Sequence, residues 1–366
     1  MTVEKESNPK TKPKKRKRRA NVTITNVAEK AGVSIATVSA VMNNKGKMSE
    51  ATRERVKRVA SDLGYRPNAL AQGLRRTSSN LIALVVPDIS SAFYSQGSRG
   101  ILQEAYNNKR TVMIFDTSYD SNRLRQSVET FLTLRVDGVI FLGGVDDHEI
   151  IDMVHEHHLP LVLGDRRYKD YVSVEFDNRG LMTSLVNHLV DKGYSSFGYI
   201  SEPLSMSNLR DRCDGLRDAL EECGLVLDEK HVWIDRSLQL DKLNSAYRYV
   251  RNQVKEVGRD ELPEVFLCSS DQIAIGAMKA FNSLGIRIPD ELALIGFDDI
   301  REANFTSPTL STVHQDALQM GAMLYCRLQK VIAEEPVERH TMLPLTYIGR
   351  ESIEYPLKYH SRGKVV

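Results

Sequence analysis

From Leu81 onward the chain alternates short, wholly apolar runs with amphipathic stretches, and this alternation constrains the fold more than any other feature. The runs are Leu81 to Val86, Val112 to Phe115, Val139 to Leu142, Leu161 to Leu163, Phe197 to Ile200, Val265 to Leu267 and Leu292 to Phe297. A run without polar alternation suits a strand covered on both faces, and helices between such strands are the connections that parallel sheets need. Seven such runs are too many for one small sheet, so two similar lobes are expected. Open parallel sheets leave a crevice at the carboxyl ends of their strands, where a small molecule would sit.

The segment ahead of the body reads differently. Between Val22 and Tyr65 lie three short helical patterns separated by glycine. In the first, Ile24, Val27, Ala28 and Ala31 share a face, Thr23 can cap the start and Gly32 ends it. Ser34 can cap the second, in which Ile35, Val38 and Val41 mark one side, and Ser49 can cap the third, which carries Val56, Val59, Ala60 and Leu63 before Gly64. A helix, a short glycine-containing turn and a second helix have helix-turn-helix spacing.

Charge separates the same two parts. Up to Asn80 there are 19 basic and 6 acidic residues, and beyond it 31 and 42, which gives +13 against −11 and the overall +2. A basic head on an acidic body is the footprint of a nucleic-acid-binding module attached to something else. Residues 1–21 hold the run Lys14, Lys15, Arg16, Lys17, Arg18 and Arg19 and almost no apolar side chains, so a disordered tail is expected. It suits sequence-independent phosphate contact, a nuclear address or simple solubility. No apolar stretch is long enough to span a membrane, and no apolar core follows the basic run as in a secretory signal. A cytoplasmic protein is therefore expected. Cys213, Cys223, Cys268 and Cys326 form no Cys-x-x-Cys pair, so thiols rather than zinc ligands or disulfides are expected.

Specific motifs then narrow the reading. Val27-Ala28, Ala31-Gly32-Val33-Ser34, Thr37-Val38-Ser39, Asn43, Gly64-Tyr65 and Pro67-Asn68 follow in order. Further on come Ser269-Ser270-Asp271-Gln272-Ile273-Ala274-Ile275-Gly276-Ala277, Ile295-Gly296-Phe297-Asp298-Asp299 and Pro308-Thr309-Leu310-Ser311-Thr312-Val313. Over roughly residues 22–350 the chain resembles the lactose-repressor and galactose-repressor family of bacterial transcription regulators.

The resemblance implies a small all-α helix-turn-helix head and an α/β body like the periplasmic sugar-binding proteins, with two parallel-sheet lobes joined by three crossovers. It places the second helix in the DNA major groove, with Ile35, Ala36, Ser39 and Ala40 facing the bases. Ala40 stands where the family often has Arg, and Ile35 and Ala36 offer no hydrogen bonds, so thymine methyl contacts and Ser39 carry the direct readout. Thr23, Ser34, Thr37, Asn43, Lys47 and Ser49 are placed for phosphate contacts, which position rather than specify. Val27, Val38 and Val41 are expected in the core. Pro67 to Arg76 matches the family's hinge helix, in which Asn68, Ala71 and Leu74 reach the minor groove and Leu74 wedges between base pairs.

In the body, Asp165, Arg212 and Asp298 align with effector ligands, Phe93 and Tyr94 can supply a stacking wall, and Gln315 lies near the last crossover. Carboxylates accept pairs of hydroxyl hydrogens and Arg presents a rigid fork of donors, so a sugar, sugar phosphate or nucleoside is the implied effector. Ser237 and Leu238 stand where relatives place an aromatic lid, and Trp233 reads as core. His155, Glu156, His157 and His158 offer too few ligands on one helical face for a metal. No phosphate-binding loop and no nucleophile elbow occurs, so no catalytic residue, metal or cofactor is expected.

The expected organisation is a tail (1–21), a helix-turn-helix domain (22–66), a hinge helix and linker (67–79), an effector-binding and dimerisation domain (80–352) and a second tail (353–366). Within the body, lobe 1 takes about 80–177 and 317–343 and lobe 2 about 178–316 and 344–352. The partners are double-stranded operator DNA, a small-molecule effector and a second copy of the chain. A dimer is expected because Ser352 to Val366 lacks the leucine heptads of the family's tetramers. A binding protein for sugar uptake and a sugar-processing enzyme are the competing readings. The body alone suits the first, but the basic head does not, and no nucleophile and base pairing supports the second.

Overall fold

The computed structural model describes residues 22–43, 45–65, 78–144 and 147–353. The chain divides into a unit ending at Thr77 and a unit beginning at Ser78. The expected basic tail, the hinge positions Asn68, Ala71 and Leu74, and residues 354–366 lie outside the described residues, whereas Ile353, the first residue of the expected C-terminal tail, is buried in the core of the second lobe.

The head consists of α1 (Ile24–Ala31), α2 (Ile35–Met42) and α3 (Glu50–Leu63). Each helix starts on a hydroxyl cap: Thr23, Ser34 and Ser49 accept from the backbone amides of Asn26, Thr37 and Thr52. Gly32 and Gly64 end α1 and α3 at φ of 64° and 66°, a left-handed conformation that glycine adopts without a Cβ penalty. Val27, Ala28, Ala31, Val38, Val41, Val56 and Ala60 form its buried centre. Val59 and Leu63 are only partly buried at its margin.

The body holds two parallel sheets. The first has the order β11-β5-β4-β3-β1-β2, from Leu81–Val86 (β1), Thr111–Asp116 (β2), Gly138–Leu142 (β3), Leu161–Gly164 (β4), Ser173–Phe176 (β5) and His340–Leu343 (β11). The second has the order β7-β6-β8-β9, from Phe197–Ser201 (β6), Val232–Ile234 (β7), Val265–Cys268 (β8) and Ala293–Ile295 (β9). Thr312–His314 (β10) and Thr346–Ile348 (β12) pair antiparallel. The chain passes between the sheets at Phe176–Asn178, His314–Ala317 and Leu343–Thr346. These are the three crossovers of a two-lobed body.

Around the first sheet lie α4 (Ala92–Asn107), α5 (Ser121–Thr133), α6 (His148–Glu156) and α11 (Ala317–Ile332). Around the second lie α7 (Asn178–Asp191), α8 (Ser207–Glu222), α9 (Lys242–Val257) and α10 (Asp271–Ser283). Each sheet buries an apolar cluster on both faces. The last expected strand is shorter than Leu292 to Phe297: β9 ends at Ile295, and the chain around it pairs by single bridges, Ile295 with Ser311 and Asp298 with His314. Five short strands, β5, β7, β10, β11 and β12, add to the seven runs that apolarity marks.

Candidate functional site

On the head, Ile35 and Ala36 at the start of α2 are exposed, Ser39 and Ala40 are half-buried, and Val38 and Val41 are buried. Ile35 is 42% exposed. Ser34 and Thr37 share a hydroxyl hydrogen bond of 2.9 Å at the helix start. The Asn43 amide donates to the Ser39 carbonyl at 2.7 Å and closes the helix end. Thr23, Lys47 and Ser49 are exposed. The first turn of α2 therefore presents small and apolar groups ringed by hydroxyls, with lysines beyond.

In the body, Phe93, Tyr94, Asp165, Arg212, Asp298 and Gln315 line one cavity together with Glu202, Asn208, Lys242 and Ser269. They converge because β4 and β9 deliver Asp165 and Asp298 at their carboxyl ends. Asp165 has φ of 54° and Asp298 φ of 119°, conformations that L-residues rarely hold without a reason in the surroundings. Arg212 comes from the second turn of α8, Phe93 and Tyr94 from the first turn of α4, and Gln315 from the middle crossover.

Arg212 is buried and held on four sides. Its Nε donates to Asn178 Oδ1 at 2.8 Å, Nη1 to the Ser269 carbonyl at 2.8 Å and Nη2 to Gln315 Oε1 at 3.1 Å. The guanidinium carbon lies 3.6 Å from the centre of the Phe297 ring. Gln315 then donates to Asp298 Oδ1 at 2.6 Å. Across the lobes, Asn208 donates to Asp165 Oδ2 at 2.5 Å. Asp165 Oδ1 is buried with no hydrogen-bond partner. The side chains nearly fill the cavity, leaving the centre of a water molecule about 30 Å³ in which to move. Phe93 and Tyr94 meet edge to face at 76°, so they form a corner rather than one flat stacking wall.

Burial governs the acids. It pushes Asp165 up to about 7, against the lowering influence of Arg212 and with Asp298 adding to the rise. Burial likewise lifts Asp298 to about 6, with Arg212 and Lys242 opposing. Glu202 falls below the usual carboxylate range despite burial, because Lys242 and Ser269 hold its charged form.

Comparison with known proteins identifies this architecture. The family of bacterial regulatory proteins, lacI family, matches residues 23–68, and the periplasmic binding protein-like domain matches residues 186–353. The catabolite control protein A of Staphylococcus xylosus is 32% identical over 326 residues, covering 88% of this chain and 96% of that protein. The chain belongs to the LacI family. Among solved structures, the Lac repressor dimer bound to operator and an anti-inducer superposes with a TM-score of 0.79 at 26% identity, covering 91% of this chain and 99% of that one. A transcriptional regulator CelR–cellobiose complex has a TM-score of 0.68 at 26% identity, covering 90% of this chain and 99% of that one.

Two parts of this LacI-family cleft escape the sequence. Neither Ser237 nor Leu238 lines the cavity: Ser237 is exposed on a short turn capped by Asp235, and Leu238 is buried beneath it. Trp233 lies in the core, its indole donating to the Lys230 carbonyl at 2.8 Å. The wall is instead a buried ion pair, with Lys242 Nζ at the start of α9 lying 2.5 Å from Glu202 Oε1. Ser269 donates to the other Glu202 oxygen. Among the described residues no helix is long and apolar enough to cross a membrane.

The raised Asp165 makes the body's stability depend on pH. In the fold this group keeps its proton to about 7, whereas in the unfolded chain it loses it near 4, so stability falls as pH rises between those values. Asp165→Asn removes that penalty. The variant's melting temperature is expected to gain on the parent's progressively from pH 4 to pH 7 and to hold its gain above that. A constant difference across the range means that Asp165 is already ionised in the fold.

Proposed function

We propose that this LacI-family transcription regulator is a homodimeric repressor whose grip on an operator is set by a small hydroxyl-rich effector held between the two lobes. The observation that carries the reading is the convergence of Asp165, Arg212, Asp298 and Gln315 on one cavity that touches both lobes. Two carboxylates and a fixed guanidinium can receive several hydroxyls at once, and the amides of Asn208 and Gln315 occupy those positions when the cleft is empty. The cavity as it stands is far below the roughly 300 Å³ of ordinary ligand sites. A ligand enters by separating the lobes about their three crossovers, and its binding energy selects the lobe arrangement that accommodates it. Relatives support the reading, since the solved Lac repressor is a dimer bound to operator and the CelR structure holds cellobiose.

On the head, Ile35, Ala36, Ser39 and Ala40 read the major groove and Thr23, Ser34, Thr37, Asn43, Lys47 and Ser49 hold the phosphates. Asn68, Ala71 and Leu74 serve the minor groove. A labelled duplex bearing a pseudo-palindrome from the DNA upstream of the chain's own coding sequence tests this. Binding should exceed that of a scrambled duplex by about a thousandfold or more at physiological salt, and should weaken steeply as salt rises because phosphate contacts release counterions. Equal affinity for both duplexes refutes the operator assignment.

A further inference from the structure

The charges around the cleft do not balance. Two buried carboxylates, Asp165 and Glu202, and the half-buried Asp298 face two cations, Arg212 and Lys242. Just outside the lining, the buried Arg166 and Glu175 add one charge of each sign. Glu202 and Lys242 satisfy each other, and the second Glu202 oxygen is taken by Ser269. The hydrogen bonds of Arg212 go to three neutral oxygens, on Asn178, Ser269 and Gln315. Asp165 and Asp298 are thus compensated only through space. One oxygen of each accepts from a side-chain amide, and Asp165 Oδ1, on a residue 3% exposed, accepts nothing.

We propose that the cleft takes a small polyhydroxylated ligand bearing a protonated amine, an amino sugar in chemical class, in preference to neutral, phosphorylated or acidic sugars. The proposal rests on the reading of the cleft as the effector site. An ammonium brings three donors and the missing positive charge to the orphaned oxygen of Asp165, and hydrogen bonds between ionised partners are roughly twice as strong as neutral ones. A hydroxyl can fill the oxygen but leaves the charge uncompensated. A phosphate would add about −1.5 to −2 charges to a site already in excess of negative charge, where Lys242 is committed to Glu202. Burial pushes Asp165 up to about 7 and Asp298 to about 6 against the pull of Arg212, and an ammonium beside them would favour their charged forms. Phe93 and Tyr94 line the same cavity and carry no charge of their own at neutral pH.

The test uses the full chain near pH 7 and three matched series: glucose, galactose and mannose, each as the hexose, the 2-amino sugar, the 6-phosphate and the uronic acid. Calorimetric titration is expected to find one series in which the amino sugar binds at least about tenfold tighter than the parent hexose. The phosphate and the uronate of that series should bind more weakly than both. Asp165→Asn should bring the amino sugar and the hexose to equal affinity. A phosphate or uronate that binds tightest, an amino sugar no better than its hexose, or no binding by any amino sugar overturns the proposal. If the tight acidic ligand is lost in Arg212→Ala, the amine preference is wrong and the cleft assignment stands. If the preferred amino sugar binds Asp165→Asn and Arg212→Ala as it binds the parent protein, the cleft assignment itself is wrong.

Discussion

Arg212→Ala is expected to abolish the effector response while the free protein binds operator nearly as the parent does. Arg212 touches Asn178, Ser269, Gln315 and the Phe297 face, all in the body. Loss of a charge-assisted hydrogen bond costs about 1.5–3 kcal/mol, which weakens effector binding roughly ten- to a hundredfold. Alanine also leaves three buried acceptors without donors and strips Asp165 and Asp298 of the cation that most lowers them. An effector changes operator affinity only as far as it distinguishes two arrangements of the lobes. Without its main cleft contact that discrimination disappears. Anisotropy of a labelled operator, read with and without effector, should show a shift for the parent and none for the variant, and a parental shift in the variant would falsify the assignment.

A second large effect is expected where α4 and α11 cross. A Cβ built on Gly321 would lie 2.0 Å from the Gly97 carbonyl oxygen, and one on Gly100 would lie 2.2 Å from the Leu318 carbonyl oxygen. Both obstacles are backbone, so no side chain can swing aside and the helices must part. Gly321→Ala gains about 1 kcal/mol of helix propensity, but overpacking of this kind costs about 1–3 kcal/mol and more when backbone must move. The clash wins. A net loss of roughly 2 kcal/mol corresponds to a fall of about 4–8 °C in the melting temperature of a domain this large. Calorimetry that finds the variant as stable as the parent would show that the two helices have room to spare.

Much of this was legible in the sequence for identifiable reasons. Glycines and hydroxyl caps punctuate the head at Thr23, Gly32, Ser34, Ser49 and Gly64, and each of these residues does locally what its chemistry suggests. Apolar runs marked seven of the strands, six of them because they are buried, whereas β2 is an edge strand whose residues are half-buried or exposed, with Ile114 40% exposed. β5 escaped notice because it buries Ser173 and Glu175, which look like surface residues until their mutual hydrogen bond at 2.8 Å makes burial tolerable. The same reason hid the far wall of the cleft. Lys and Glu are rarely buried unless paired, and Glu202 and Lys242 lie 40 positions apart, so no local pattern joins them. Asp165, Arg212, Asp298 and Gln315 emerged only through the family resemblance, since each alone reads as a surface group.

Reciprocal linkage between cleft and operator tests the account most directly. The effector's dissociation constant is measured by titration calorimetry on the free dimer and again on the dimer saturated with operator. The factor between the two values is then set beside the factor by which saturating effector changes operator affinity. Thermodynamic linkage requires the two factors to be equal, and the account predicts a common value of about 5–150 for the parent, the usual range of such couplings, and of one for Arg212→Ala. An effector that binds the parent with the same affinity whether or not operator is present would contradict it.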